Sequence, residues 1–137
     1  MISSSLPAPP IEPSPDNQPH FDGLVEGRLL LPRCDDCEQV FWYPRTHCPL
    51  CGSSSVYWWE ASGRGSVYSF TVVRRTDGPY AGAVPYVLAY VELEDGPRLM
   101  TNIVGLDEPE SLEVGQPVEA VFEVGGEGPP MLRFRPA

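Results

Sequence analysis

The sequence contains no lysine, and its nine basic residues, all arginines, are outnumbered by 19 acidic residues. The formal net charge of -10 disfavours nucleic-acid binding, because attraction to phosphates supplies most non-specific affinity for nucleic acids. The same charge disfavours docking on an anionic membrane surface. No apolar run approaches the roughly 20 residues of a membrane-spanning helix. We therefore expect neither nucleic-acid nor membrane partners.

Groups that could carry out catalysis are also scarce. The chain has two histidines and four cysteines, and the absence of lysine excludes a Schiff base. It has no Gly-x-Ser-x-Gly elbow, no Walker loop and no dinucleotide-binding glycine pattern. The acidic stretch from Glu92 to Glu127 is typical of a solvated surface. The chain alone is therefore not expected to be an enzyme.

The N-terminal part divides into a tail and a weak helix. Residues 1–19 are rich in proline and poor in aliphatic side chains, which predicts a disordered, extended tail. They show no signal-peptide pattern, so a cytoplasmic protein is expected. Residues 20–32 carry apolar side chains at near-helical spacing and predict an N-terminal helix. Gly23 and Gly27 weaken this helix by roughly 1 kcal/mol each, and Pro32 is expected to end it.

All four cysteines lie in the spacing Cys34-x2-Cys37-x10-Cys48-x2-Cys51. Two Cys-x-x-Cys turns can bring four thiolates to one tetrahedral zinc ion. Two disulfides and a redox-active pair are the alternatives, and both are disfavoured for paired motifs in a cytoplasmic chain. A complete four-sulfur shell leaves no position for water, so the zinc is expected to be structural. It would stabilise a ribbon over residues 33–62.

After the ribbon, the pattern predicts β-structure alone. Partly alternating runs rich in Val, Tyr, Phe and Thr are separated by Gly-, Pro- and Asp-containing turns. The predicted strands are 66–74, 85–94, 97–104, 117–124 and 131–135. A short helical turn is predicted between the third and fourth strands. This order matches a five-stranded OB-fold barrel over residues 63–137.

Two sets of side chains are candidates for binding. The first set is arginines, which can hold phosphate through two hydrogen bonds at once, together with the aromatic residue between the last two of them. Its members are Arg64, Arg74, Arg75, Arg133, Phe134 and Arg135. The second set is apolar and consists mostly of aromatic residues, which together with arginine dominate interface energetics. Its members are Phe21, Leu24, Trp42, Tyr43, Trp58 and Trp59. Scattered surface arginines and aromatics that merely pack the ribbon on the barrel remain the alternatives.

The combined motifs resemble a known family. The resemblance rests on the segments GLVEGRL from Gly23, SGRGSVYSFTVV from Ser62, PYV from Pro85, GPRLMTN from Gly96 and the closing FRP from Phe134, together with the paired cysteine motifs. It covers residues 20–137. These segments are similar to the acyl-CoA-associated zinc-ribbon/OB-fold proteins, long catalogued as a numbered domain of unknown function.

The resemblance implies an N-terminal helical segment, a rubredoxin-like zinc ribbon and a C-terminal OB-fold. Members of the family accompany thiolase-superfamily enzymes, including thiolases, acyltransferases and lipid-transfer-protein-like aldolases of steroid side-chain breakdown. The expected function is a non-catalytic subunit of a hetero-oligomer that helps bind acyl-CoA and stabilises the complex. A free-standing acyl-CoA shuttle is the alternative, followed by a single-stranded nucleic-acid-binding OB-fold.

Overall fold

A computed structural model describes residues 6–125 and 128–137, which form one α-helix, a two-stranded ribbon, a five-stranded barrel and two short 3₁₀ helices, Gly78–Ala83 and Pro109–Ser111. The elements in chain order are α1 Gln18–Val25, β1 Leu30–Cys34, β2 Val56–Glu60, β3 Arg64–Val73, β4 Tyr86–Leu93, β5 Arg98–Ile103, β6 Pro117–Glu123 and β7 Met131–Pro136. The predicted fold class is confirmed. Within the described ranges, no helix has both the length and the apolar character needed to cross a membrane.

Helix α1 differs from the helix predicted over residues 20–32. It spans Gln18–Val25, and Pro32 lies inside strand β1 instead of ending the helix. The reason is Gly27, which adopts a φ of 74° just after the helix. Its N–H donates to the Leu24 carbonyl oxygen, and the Arg28 N–H donates to the Gly23 carbonyl oxygen at 2.8 Å. This pair of bonds is the Schellman motif, in which glycine ends a helix.

The ribbon has a small core made largely of cysteine. Strands β1 and β2 pair antiparallel, from Leu30 opposite Glu60 to Cys34 opposite Val56. Cys34, Cys48 and Phe41 form the buried cluster at the far end of this pair. Such a core buries little apolar area, so the ribbon depends on interactions beyond hydrophobic packing.

The barrel closes in the order β3-β4-β5-β7-β6. Its strands match the five predicted ones, with ends shifted by at most two residues, and a short 3₁₀ turn at Pro109–Ser111 matches the predicted helical turn. Alternate residues face inward because side chains of a strand alternate between faces. Val67, Val91, Leu99, Val118 and Phe134 thus form the buried centre.

The ribbon and the barrel share one core across the predicted boundary at residues 62 and 63. Leu29 and Leu31, beside and within β1, belong to the barrel's buried cluster. The Trp59 indole N–H donates to an Asp95 carboxylate oxygen at 2.9 Å in the β4–β5 turn. The ribbon is therefore fixed on the barrel by apolar contact and by one polar contact.

The predicted disordered tail, residues 1–19, lies partly on the barrel. Residues 1–5 lie outside the described residues. The Pro7 carbonyl oxygen accepts hydrogen bonds from Arg133 at 2.7 Å and from the Tyr80 hydroxyl at 3.4 Å. The end of the predicted tail also belongs to α1, because Gln18 and Pro19 form its first turn. Residues 6–19 are consequently placed by contacts that the proline content alone did not reveal.

Candidate functional site

The four cysteine sulfur atoms converge at the end of the ribbon and lie within 4.8 Å of one another. The Cys34 and Cys51 sulfurs are 3.6 Å apart, and the Cys37 and Cys48 sulfurs are 3.7 Å apart. A tetrahedral zinc–thiolate site with Zn–S bonds of about 2.3 Å has sulfur–sulfur edges of about 3.8 Å. The donor set and its spacing therefore fit a structural zinc ion held by Cys34, Cys37, Cys48 and Cys51.

Backbone N–H groups point at two of the four cysteine sulfurs. The Cys37 N–H points at the Cys34 sulfur at 3.5 Å, and the Leu50 N–H points at the Cys48 sulfur at 3.4 Å. Burial opposes ionisation of Cys48, but hydrogen bonds from the backbone N–H groups of Cys51 and Leu50 and from the Cys37 and Cys51 thiols together outweigh it and lower the Cys48 pKa to about 7. The Cys48 thiolate, which is the form that binds metal, is thus accessible near neutral pH. A hydrogen bond from the Ser53 backbone favours the Cys51 thiolate, but the neighbouring thiols and burial outweigh it and instead raise the pKa of Cys51 to about 12.

The two knuckles differ at the residue that follows the second sulfur. Gly52 occupies this position in one knuckle with a φ of 81°, and Glu38 occupies it in the other with a φ of 61°. Both residues are in the left-handed region, which a side chain disfavours by roughly 1–2 kcal/mol. Glu38 therefore stores strain that a glycine would not.

Replacing Glu38 by glycine is expected to stabilise the protein. Relief of the left-handed strain exceeds the extra flexibility that glycine brings to the unfolded chain, leaving a gain of about 0.5–1 kcal/mol. This corresponds to a melting temperature raised by about 2–4 °C. Thermal unfolding of the zinc-loaded protein measures it. Glu38→Ala, which keeps the Cβ atom, is the control, and an equal gain in both variants would contradict the explanation.

Aromatic side chains gather where the helix meets the ribbon, around a buried histidine. The His20 Nδ1 donates to the Leu30 carbonyl oxygen at 2.9 Å, and burial lowers the pKa of the imidazole below its usual value. Its ring lies 5.0 Å from Phe21 and 4.7 Å from Trp42. Trp42 in turn contacts Tyr43 at 5.0 Å. His20 is thus a packing group, and the rings around it reach the surface.

We define the aromatic surface as Phe21, Val25, Trp42 and Tyr43. Phe21 and Val25 are four residues apart and share one face of α1, and Val25 is 69% exposed. Tyr43 is 46% exposed, and its hydroxyl accepts a hydrogen bond from Asn17 on the helix side. Three of the six predicted interface residues therefore border this surface, of which Tyr43 is exposed and Trp42 is half-buried against the barrel core.

The other three predicted interface residues lie elsewhere. Leu24 is buried between the helix and the ribbon, which corrects the prediction that it contacts a partner. Trp59 packs against the barrel core and connects the ribbon to the barrel, as described above. Trp58 is half-buried on β2, opposite Pro32. The physical reason is that α1 and β2 each have a side that faces the protein interior, and the sequence pattern did not show which residues lie on that side.

The candidate arginines do not form one cluster. Arg64 begins β3, whereas Arg74 and Arg75 follow its other end, about 30 Å away for a ten-residue strand. Arg64 pairs with Glu94 at 3.1 Å, and Arg74 pairs with Glu110. Among the described residues, no ion pair is found for Arg75. The arrangement supports at most separate phosphate contacts at the two ends of β3.

In the last strand, β7, the burial of Arg133 and Phe134 corrects the prediction that these two residues bind a ligand. Phe134 is fully buried inside the barrel, and Arg133, on the opposite side of the strand, is only 2% exposed. Arg133 is covered by the N-terminal segment and also contacts Glu123 at 3.2 Å and the Asn102 side chain. Arg135 is half-exposed and pairs with Glu119 at 2.8 Å. Neither Phe134 nor Arg133 is thus open to a ligand in this structure.

Two family models together match most of the chain. The model described as "ChsH2, rubredoxin-like zinc ribbon domain" matches residues 21–56, and "ChsH2, C-terminal OB-fold domain" matches residues 58–123. The chain belongs to the ChsH2 family. The resemblance stated from the sequence motifs is confirmed, and the zinc-ribbon match agrees with the sulfur geometry.

Relatives of this ChsH2-family chain carry two kinds of name. A "Probable enoyl-CoA hydratase alpha subunit" of Thermomonospora curvata is 42% identical over 103 residues, covering 75% of this chain and 32% of the relative. The chain thus spans about a third of that relative's length. A "DUF35 domain-containing scaffold protein" of Methanothermobacter thermautotrophicus is 37% identical over 91 residues, covering 66% of this chain and 68% of the relative.

A solved structure is similar to the ChsH2-family chain over nearly its whole length. It is described as "Ltp2-ChsH2(DUF35) aldolase", with a TM-score of 0.81 and 36% sequence identity. The alignment covers 92% of this chain and 98% of the matched chain. The helix, ribbon and barrel therefore belong to a fold that occurs as one part of a two-component aldolase.

Sequence reasoning missed several polar residues that hold this ChsH2-family fold together. Asn102 is buried, and its amide donates to the Val87 carbonyl oxygen at 2.9 Å. Asp95 receives the Trp59 bond, and the Arg33 guanidinium lies 4.5 Å from the Trp59 ring centre. Only Asn102 left a signal in the sequence, as a polar residue at the end of an apolar strand. For Asp95 and Arg33, neither the turn residues nor the charge pattern of the sequence indicated a contact with Trp59.

Proposed function

We propose that this chain is a non-catalytic accessory subunit of a thiolase-superfamily enzyme, such as a thiolase, aldolase or acyltransferase acting on an acyl-CoA of lipid or steroid metabolism. In this role it docks on the enzyme subunit, stabilises the hetero-oligomer and contributes one wall of the acyl-CoA path. The observation that carries the proposal is the similarity to the ChsH2(DUF35) component of an aldolase over 98% of the matched chain.

The aromatic surface supports a docking role. Interface hot spots are enriched in large rings that are buried when the partner binds. Phe21 and Tyr43 supply two such rings near the exposed Val25, and Trp42, which packs partly against the barrel core, contacts Tyr43. The buried His20 ring contacts Phe21 and Trp42 at 5.0 and 4.7 Å, which restricts the motion of these rings before a partner binds.

A shared acyl-CoA site fits the structure better than a complete one. The cavity beside Arg64 has a volume of about 230 Å³ and is also lined by Arg28, Glu60 and Glu119. Typical enclosed ligand pockets measure about 300–1,000 Å³, so this cavity cannot surround an acyl-CoA. The Arg64 and Arg74 side chains are largely exposed, and their surface ion pairs are weak enough to exchange for a phosphate. Arg75 is a third candidate contact.

The first experiment is a tagged pull-down from native lysate, with the eluted proteins identified by mass spectrometry. The accessory-subunit proposal expects a thiolase-like protein in near-stoichiometric yield. A chain that elutes alone and binds CoA in a direct titration would instead indicate the acyl-CoA shuttle. A gel shift with single-stranded DNA at low salt addresses the nucleic-acid alternative, for which the net charge of -10 predicts no complex.

Substitution of the aromatic surface is expected to separate docking from folding. Phe21→Ala combined with Tyr43→Ala removes two rings and should weaken complex formation roughly 30-fold, the effect of losing at least about 2 kcal/mol from a hot spot. Titration of the purified enzyme subunit by calorimetry measures the affinity. Zinc content and circular dichroism verify the fold of the variant.

Tyr90→Ala is the matched control, because Tyr90 is an exposed aromatic residue (42%) on the outer face of β4 and is not part of the aromatic surface. Its affinity for the enzyme subunit should equal that of the unmodified chain. An unchanged affinity in the double variant, with the fold intact, would show that the partner docks elsewhere.

A further inference from the structure

The barrel carries a groove in which the N-terminal segment Leu6–Ile11 lies. We define the groove by Tyr80, Tyr86, Gly125, Gly128 and Arg133. The Tyr80 and Tyr86 ring centroids lie 5.3 Å apart with the rings tilted by 48°, and Leu6 lines a cavity with Tyr86 at the same end. At the other end, a Cβ atom built on Gly128 would lie 3.3 Å from the Ile11 nitrogen and 3.9 Å from the Pro10 Cα. One built on Gly125 would lie 3.8 Å from the Ala8 Cβ.

Arg133 is the polar centre of the groove, and its donors are directed at neutral acceptors as well as at one acid. Its Nε contacts Glu123 at 3.2 Å, its Nη1 donates to the Asn102 side-chain oxygen, and its Nη2 donates to the Pro7 carbonyl oxygen at 2.7 Å. Because Glu123 neutralises the guanidinium charge, the remaining donor, Nη2, suits a neutral peptide carbonyl and not an anion. If the Pro7 carbonyl oxygen were absent, the buried Nη2 donor would lack an acceptor, which would lower the stability of the folded chain.

The segment itself is suited to such a groove. Within Leu6–Ile11, residues 7, 9 and 10 are proline, and Leu6, Ala8 and Pro9 each precede a proline, which holds them extended. An extended proline-rich chain loses little entropy on binding, and aromatic-lined grooves recognise it for that reason. The two tyrosines and the two glycines supply the flat and open surface that such a chain needs.

We infer that this groove is a binding site for an extended, proline-rich peptide, and that the chain's own residues Leu6–Ile11 occupy it. Buried Arg133 binds a backbone carbonyl of the peptide. Tyr80 and Tyr86 contact the peptide at one end of the groove, and Gly125 and Gly128 leave room for it at the other. The inference is independent of the accessory-subunit proposal, because it rests on contacts inside this chain.

The first test measures backbone order in the full-length, zinc-loaded protein by ¹⁵N relaxation. The amides of Leu6, Ala8 and Ile11 are expected to show order parameters near the ~0.85 of rigid structure. Gly128→Val should push the segment away and lower these values below about 0.6. Gly82→Val is the control, because a Cβ atom at Gly82 meets nothing within 4 Å.

The second test measures binding in trans. The six residues 6–11 are replaced by glycine and serine in the full-length chain, and a synthetic peptide of residues 1–16 is titrated into it. Saturable binding is expected, and at least tenfold weaker binding to the unmodified chain, because the tethered segment competes at an effective concentration on the order of mM. A peptide with alanine at its prolines is expected to bind at least tenfold more weakly.

The two tests have distinct outcomes. Ordered amides in the unmodified chain, together with saturable and proline-dependent peptide binding, support the inference. Order parameters below about 0.6 in the unmodified chain, or no saturable binding to the glycine-serine variant, overturn it. Neither result depends on whether an enzyme subunit co-purifies, so failure of the docking proposal remains distinguishable.

Discussion

Loss of a cysteine ligand is expected to abolish the folded ribbon. The ribbon's buried cluster consists of Cys34, Cys48 and Phe41, so without the metal that joins the sulfurs little apolar burial is left to hold the ribbon folded. Structural zinc contributes on the order of 10 kcal/mol to small zinc domains, which is comparable with the whole stability of an ordinary domain. Cys48→Ser, or treatment with a strong chelator, should therefore eliminate the near-ultraviolet circular dichroism of the ribbon tryptophans.

Metal analysis and unfolding experiments check this expectation together. The unmodified chain should contain one zinc per molecule when purified without added metal, and Cys48→Ser should contain substantially less. Ser54→Ala is the matched control, because Ser54 is an exposed residue in the same knuckle loop. A metal-free chain with four titratable thiols and an unchanged melting temperature would contradict the zinc assignment.

Phe134→Ala is expected to lower the free energy of unfolding of the chain, because this ring lies in the core and not in a ligand site. Phe134 is fully buried, lies opposite Ile103 where β5 meets β7, and faces Ala120 on β6. Deleting a buried phenylalanine ring costs about 3–5 kcal/mol, because the transfer free energy is lost and a cavity remains. At this position the cavity would open where the last strand closes the barrel.

Chemical denaturation measures the effect as a lower midpoint with an unchanged slope. Phe134→Leu, which retains most of the buried volume, should lose clearly less stability than Phe134→Ala. If Phe134→Ala kept the stability of the unmodified chain but lost affinity for CoA, the buried position of this ring would be wrong and the ligand-binding prediction would be restored.

The arginines show how a sequence pattern and a folded site can differ. Arg133 and Arg135 were both predicted to contact a ligand, and as residues two apart on β7 they lie on the same side of the strand. The N-terminal segment, more than 120 residues earlier in the chain, covers Arg133 and leaves Arg135 half-exposed. Alternation along a strand is a local property, whereas the covering of one of its faces depends on distant residues.

The sequence alone determined the features that arise from local chemistry. Paired Cys-x-x-Cys motifs specify a four-sulfur site because two residues between ligands let both sulfurs reach one ion. Alternating side chains and turn residues located the five barrel strands to within two residues, because strand and turn preferences act over short stretches.

Only the tertiary structure decided what depends on contacts between distant residues. It buried Leu24 and Phe134 and joined Trp59 to Asp95. It also placed Pro7 against Arg133. These outcomes follow from burial and from hydrogen bonds that become favourable only when the barrel has brought their partners together, which no stretch of sequence shows by itself.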